Sequence, residues 1–274
     1  MKTIAVPTSF SVQTLKAMQL ALQLFPNEII QFILFSQSGL PTDIQDLLFL
    51  PSNEEKLAVE IDEHFDQGIA LLKKRYAYQI KRVVYDHFWG DLPFVIKQLN
   101  DQNSIDFLLF PQSNSFKNYS IQLLELIKMS LCPLLLVPDT YTGDCLSKVG
   151  WIIDDSFSPA IYLQVSDDFF SKEQPETLFM IAAKRDNNKL KGCLGSLLDI
   201  GLVSRKLSFA LHRHWESSQG FISTTISHCV DLIILQQKYK RSSLRVKDRL
   251  VEEIALSSPV PVLIFPRNHF EKVT

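Results

Sequence analysis

The sequence predicts an α/β fold made of two doubly wound, five-stranded parallel sheets in tandem. Three observations carry this reading. Residues 104–138 and 229–266 follow one pattern about 125 residues apart: an acidic residue, a short apolar run, a polar loop, an amphipathic stretch and a proline-led apolar run. A repeat of that length points to duplicated modules. Short apolar runs alternate with amphipathic stretches along the whole chain, which implies a parallel sheet with helices on both faces. The length of 274 residues suits roughly two domains.

Residues 3–6 read as a buried strand ended by Pro7, with Ser9 or Ser11 able to cap the helix that follows. Leu15, Met18, Leu22 and Phe25, with Ala21, form its apolar stripe. Residues 29–35 are the second strand, 37–52 a loop, and about 54–76 a long helix. Residues 78–85 are the third strand, and Gly90 and Asp91 open a helix through Leu99. Residues 106–110 are the fourth strand, 118–131 a helix and 133–137 the fifth strand. A polar linker, residues 139–148, leads to the second module. Its strands are expected at 149–153, 177–182, 207–211, 231–235 and 261–265, and its helices at 157–169, 190–203, 217–228 and 245–257. The domains are therefore 1–142 and 143–274.

Apolar residues make up 46% of the chain and charged residues 21%, enough apolar content for proper cores. A net charge of −2 gives no bulk attraction to nucleic acid or to anionic membranes. No apolar run approaches the roughly 20 residues of a membrane helix, and no secretory apolar region follows the N-terminus. Cys132, Cys145, Cys193 and Cys229 include no Cys-x-x-Cys pair and do not read as a disulfide framework. They suit core filling in a reduced, cytoplasmic protein.

Each module resembles a universal stress protein domain, and the chain as a whole looks like a tandem universal stress protein with Rossmann-like, adenine nucleotide alpha hydrolase-like sheets. The resemblance rests on Val6-Pro7-Thr8-Ser9-Phe10-Ser11 and Ile152-Ile153-Asp154-Asp155-Ser156 after the first strands. Gly90-Asp91 follows the third strand, and Asp106 and Asp231 start the fourth strands. Cys132-Pro133-Leu134-Leu135-Leu136-Val137 and Val260-Pro261-Val262-Leu263-Ile264 complete the pattern at the last strands. In the family, an Asp after the first strand and a glycine-rich loop after the fourth hold an adenine nucleotide. Glycines let backbone N–H groups approach phosphates, and a helix N-terminus adds a favourable dipole.

The chain departs from that pattern. No glycine lies between Gly90 and Gly143, and none follows Gly220, so neither fourth-strand loop contains one. Ser9 stands where the resemblance places the first module's Asp. Counting back from Pro133 and Pro261 puts Ser120-Ile121 and Asp248-Arg249 where the family has Gly-Ser, and a carboxylate there repels an anion. The second module keeps Asp154, Asp155 and Ser156, and its fourth loop is basic. The nucleotide-binding candidates are therefore Asp154, Asp155, Ser156, Gln236, Lys238, Arg241, Ser242 and Ser243, with Lys240, Arg245 and Lys247 nearby. The same residues also suit a solvated loop in which Asp154 or Ser156 caps a helix. His212 and His214 share a strand face, and His228 adjoins Cys229, but zinc needs two more ligands, so they read as polar residues at strand ends.

No catalytic constellation or metal site is expected. The expected function is a non-catalytic stress-response binding or interaction module with no cofactor. The alternative is a nucleotide-binding stress sensor whose second module binds ATP and hydrolyses it slowly. A bare edge strand is costly, and the resemblance implies that residues 133–137 and 261–265 pair antiparallel within the chain. A homodimer remains open, with neither nucleic acid nor membrane insertion expected.

Overall fold

Apolar runs without polar alternation suit strands covered on both faces, as parallel strands are when helices connect them. The computed structural model has this architecture. It describes residues 1–38, 63–112, 123, 125–127, 132–142, 146–153, 159–170, 175–182, 195, 207–212, 218–236 and 245–266. The chain divides into two units, Met1–Leu22 with Pro26–Gly143, and Gln23–Phe25 with Asp144–Thr274.

The first unit runs β1 (Lys2–Pro7), α1 (Val12–Leu24), β2 (Ile30–Ser38), α2 (Glu63–Arg75), β3 (Ile80–Trp89), α3 (Leu92–Asn103), β4 (Phe107–Pro111) and β5 (Leu134–Val137). Its strands are parallel in the order β3-β2-β1-β4-β5. The second unit runs β6 (Lys148–Ile153), α4 (Pro159–Phe169), β7 (Glu176–Ala182), β8 (Leu207–His212), α5 (Ser218–Ser227), β9 (Leu232–Gln236), α6 (Arg245–Ser257) and β10 (Val262–Phe265). Its order, β8-β7-β6-β9-β10, is the same winding. In each unit the direction of winding reverses between the first and fourth strands, which makes that crevice the topological switch point.

The strands β4, β5 and β10 are buried along their whole length. In the second unit Tyr162 of α4 sits edge-on to Trp151 at 5.4 Å and to Phe179 at 5.1 Å, joining helix to sheet. In the first unit α2 passes close to α1 at Gly68, where a Cβ would meet the Leu15 side chain. Gly90 has φ +123 and precedes Asp91, whose carboxylate accepts the Phe94 N–H at 3.0 Å and caps α3.

Two features extend beyond the sequence reading. β2 and β3 run on to Ser38 and Trp89, three or four residues past the expected ends, because Ser36–Ser38 and His87–Trp89 continue the ladder in register. Each satisfies the other's backbone groups, which outweighs the loop-like composition of either segment. Cys229 is exposed rather than core filler, and Cys132 is partly exposed; both are free thiols. Cys229 ends α5 in the left-handed region with φ 51. The N-terminal part of the expected helix at 54–76 and nearly all of that at 190–203 lie outside the described residues.

The same device joins the switch-point strands in both units. A residue in the left-handed region (Ser104, Cys229) ends the preceding helix, a buried apolar residue follows (Ile105, Val230), and then comes an aspartate. Asp106 Oδ2 accepts the Thr3 N–H at 2.7 Å, while the Asp106 N–H donates to the Thr3 carbonyl at 3.0 Å. Asp231 Oδ2 accepts the Lys148 N–H at 2.8 Å, the Ser147 N–H at 2.8 Å and the Ser147 hydroxyl at 2.7 Å. Its own N–H donates to the Lys148 carbonyl at 2.8 Å.

Hydrogen bonds to a charged acceptor contribute about 1.5–3 kcal/mol in a buried setting and less where water competes. Asp231→Ala is therefore expected to lower unfolding free energy by about 1–2 kcal/mol, and Asp106→Ala, which loses one N–H partner, by less. Urea denaturation of both variants checks the ranking. Gly150→Val is expected to destabilise by about 1–3 kcal/mol through overpacking, since even a Cβ there would lie 2.6 Å from Met180 Cε and 3.0 Å from Val230 Cγ1.

Candidate functional site

Ligands of open parallel sheets bind beyond the carboxyl ends of the strands at the switch point. In the first unit that place lies past Pro7 and Pro111, since β1 pairs with β4 through Ile4–Phe107 and Ala5–Leu108. Neither proline has an N–H, and the next N–H on each strand is already used. Thr8 N–H donates to the Phe35 carbonyl at 2.8 Å and Gln112 N–H to the Val137 carbonyl at 2.7 Å.

The loop after β1 closes on itself. Thr8 Oγ1 accepts the Phe10 N–H at 2.8 Å and lies 3.1 Å from Thr14 Oγ1, both threonines being buried. Phe10 takes φ 54, a left-handed conformation that costs an L-residue about 1–2 kcal/mol. Its ring packs edge-on to Phe65 of α2 at 5.5 Å and lies 6.3 Å from Tyr85 of β3. Ser9 is exposed and supplies no carboxylate. Beyond β5, the Asp139 carbonyl accepts from Gln13 Nε2 at 3.0 Å and the Tyr141 carbonyl from Lys16 Nζ at 3.3 Å. Both donors of the first turns of α1 are thereby engaged by the chain itself.

Polar groups also gather where β2 and β3 end. Ser36 Oγ and His87 Nδ1 are 2.7 Å apart, His87 is buried, and its ring lies edge-on to Trp89 at 5.4 Å. Asp86 Oδ1 accepts the His87 backbone N–H at 2.8 Å. Burial raises the Asp86 carboxyl above its ordinary value, with the hydrogen bond from His87 N–H pulling the other way. Burial also raises the Tyr85 phenol, helped by the Asp66 carboxylate that accepts its hydroxyl at 3.1 Å. This cluster was not read from the sequence.

In the second unit β6 pairs with β9 through Val149–Leu232, Gly150–Ile233 and Trp151–Ile234, so Ile153 and Gln236 finish level at the switch point. Gln236 is partly exposed at the end of β9, opposite Phe265 of β10. Asp154 and Lys238 follow these strand ends in the chain. Asp154, Asp155, Ser156, Lys238, Arg241, Ser242 and Ser243 lie outside the described residues. His212 ends β8, and His214 is likewise outside. Among the described residues no three metal-ligating side chains come together.

No protein-family model matches the sequence, and no curated protein does. Solved structures do match. A universal stress protein from Archaeoglobus fulgidus DSM 4304 has TM-score 0.63 at 15% identity, covering 97% of this chain and 98% of its own. A functionally unknown protein from Pseudomonas aeruginosa PAO1 has TM-score 0.61 at 13% identity, covering 100% and 96%. The cytoplasmic domain of a prokaryotic cation chloride cotransporter has TM-score 0.50 at 13% identity, covering 96% and 94%. The fold is therefore that of universal stress protein structures; at such identities the likeness extends to the fold alone.

Two outcomes test this geometry. Phe10→Gly is expected to be more stable than Phe10→Ala by about 1 kcal/mol, since both lose the ring and glycine alone relieves the left-handed backbone; thermal denaturation of the pair decides it. For Asp86, the folded state keeps a proton that the unfolded chain has already released. Its contribution therefore falls as pH rises from the ordinary aspartate value through the raised one. Asp86→Asn, which still accepts the His87 N–H, is expected to be more stable than the parent at neutral pH. Stability measured against pH should show the difference vanishing below the ordinary aspartate range.

Proposed function

We propose that the chain is a non-catalytic stress-response protein of the universal stress type, acting in the cytoplasm as a binding or interaction module with its first unit as structural partner. The observation that supports this most is how the first unit uses the described groups at the ends of β1 and β4. Its strand-end N–H groups are committed to neighbouring strands and its β1 loop is closed by Thr8. The Phe10 ring packs against Phe65. A nucleotide would need free N–H donors and glycines that bring the backbone to the phosphates, and the loop after β4 has no glycine.

The second reading is a nucleotide-binding stress sensor with weak ATPase activity in the second unit. It draws on Gln236 at the switch point and on the sequence around it, where Asp154, Asp155 and Ser156 follow β6 and Lys238, Arg241, Ser242 and Ser243 follow β9. The likeness to a cotransporter's cytoplasmic domain favours a third, a regulatory partner of a membrane transporter. That reading is an analogy of fold, and among the described residues no helix is long and apolar enough to cross a membrane.

Thermal denaturation with and without Mg-ATP, ADP and AMP separates the first two readings. A ligand at about 100 times its dissociation constant adds about 2.7 kcal/mol, several degrees for a chain of this size. No shift is expected with any of the three. A saturable shift that Asp154→Ala abolishes would overturn the interaction-module reading in favour of the nucleotide sensor.

A further inference from the structure

The opposite end of the first unit's sheet carries a surface that the switch-point chemistry does not use. Between Asp66 and Asp86 the sequence holds no acidic residue and five cations, Lys73, Lys74, Arg75, Lys81 and Arg82, in a chain of net charge −2. All five are exposed, and among the described residues none is in an ion pair. The first three close α2 and the other two open β3. The turn between them meets the start of β2, because Ile30 N–H donates to the Gln79 carbonyl at 2.6 Å. Large apolar side chains on these same elements and turns are exposed: Tyr78 is 98% exposed, Leu71 67% and Ile29 50%.

The helix dipole accounts for cations in the last turn of α2, and charges on an edge strand deter pairing with other chains. Neither explains why Ile29, Leu71 and Tyr78 stand in water among those charges. A surface with both properties matches a phospholipid interface. Cations near an anionic membrane contribute about 1 kcal/mol each, and apolar and aromatic side chains enter the boundary between headgroups and acyl chains. Nucleic acid suits the patch less well. Its bases would stack on Tyr78, but it offers no apolar depth to Ile29 and Leu71.

We propose that this end of the first unit, built from the C-terminus of α2, the start of β3 and the turn before β2, docks peripherally on anionic lipid membranes without crossing them. The cations make contact with the headgroups, while Tyr78, Leu71 and Ile29 reach the interface. The proposal is independent of whether the second unit binds nucleotide, since it uses the amino ends of the first unit's strands.

Co-sedimentation of the full chain with vesicles tests it, comparing phosphatidylcholine alone with equimolar phosphatidylcholine and phosphatidylglycerol. Binding is expected only to the mixed vesicles and is expected to weaken with salt. The triple variant K73Q/K74Q/R75Q should lower partition roughly a hundredfold. K81Q/R82Q provides a separate check on another element, and circular dichroism confirms that each variant is folded. Y78S should lower binding while leaving its salt dependence unchanged. Equal binding to both vesicle types, no binding to either, or loss of neither on charge removal would overturn the proposal. So would salt-sensitive binding to single-stranded RNA with no binding to vesicles, which would reassign the patch to nucleic acid.

Discussion

A single carboxylate oxygen holds the switch point of each unit in register. Most parallel strands here are apolar on both faces, so hydrophobic patterning alone does not distinguish one register from a slip along the partner strand. Asp106 and Asp231 supply the missing specification. Each accepts the backbone N–H of the residue opposite it on the first strand and returns its own N–H to that residue's carbonyl. A slip would leave a charged acceptor and a backbone donor unpaired at the sheet's end. The left-handed residue and buried apolar residue before each aspartate deliver the chain from helix to strand at the angle this grip requires. The level at which the paired strands end on the other side of the sheet follows from that register.

With the register set, the described backbone donors just past β1 and β4 are turned into the sheet of the first unit. Pro7 and Pro111 contribute no donors, and the N–H groups of Thr8 and Gln112 turn sideways into the sheet. Thr8 folds the loop back onto Phe10, whose ring occupies space against α2 and β3. The left-handed conformation at Phe10 is accompanied by the hydrogen bond of its N–H to Thr8 Oγ1 and by the contacts of its half-buried ring with Phe65 and Tyr85. Ser11 Oγ and Gln13 Oε1 are buried there without a hydrogen-bond partner, so the loop leaves some polar capacity unused. The amino end differs in kind: its cations and apolar side chains are directed to solvent, and its chemistry is that of a surface.

The two halves of the candidate site were unequally legible. The missing glycines could be counted in the sequence, and the absence of a carboxylate at Ser9 could be read directly. The closing of the β1 loop could not, because Phe10, Phe65 and Tyr85 are far apart in the chain and meet only through the sheet order β3-β2-β1. The same holds for Ser36 and His87, which become neighbours because β2 and β3 extend together beyond their apolar runs. Asp106 and Asp231 were recognised as repeated residues, but their role as acceptors for the first strand required the strand pairing. Cys229 read as core by residue type and is exposed because a helix-ending left-handed residue turns its side chain outward.

The sequence alone determined the alternation of strands and helices and the doubly wound class, since these rest on local periodicity and on proline and glycine punctuation. Such signals arise from interactions between residues a few positions apart and survive without a three-dimensional frame. Tertiary structure decided the lengths of β2 and β3, the grip of the two aspartates, the packing of Phe10 against Phe65 and the exposure of the cations that end α2 and open β3. Each of these depends on groups distant in sequence whose hydrogen bonds or packing exist only after the strands have paired, so no window along the chain contains them.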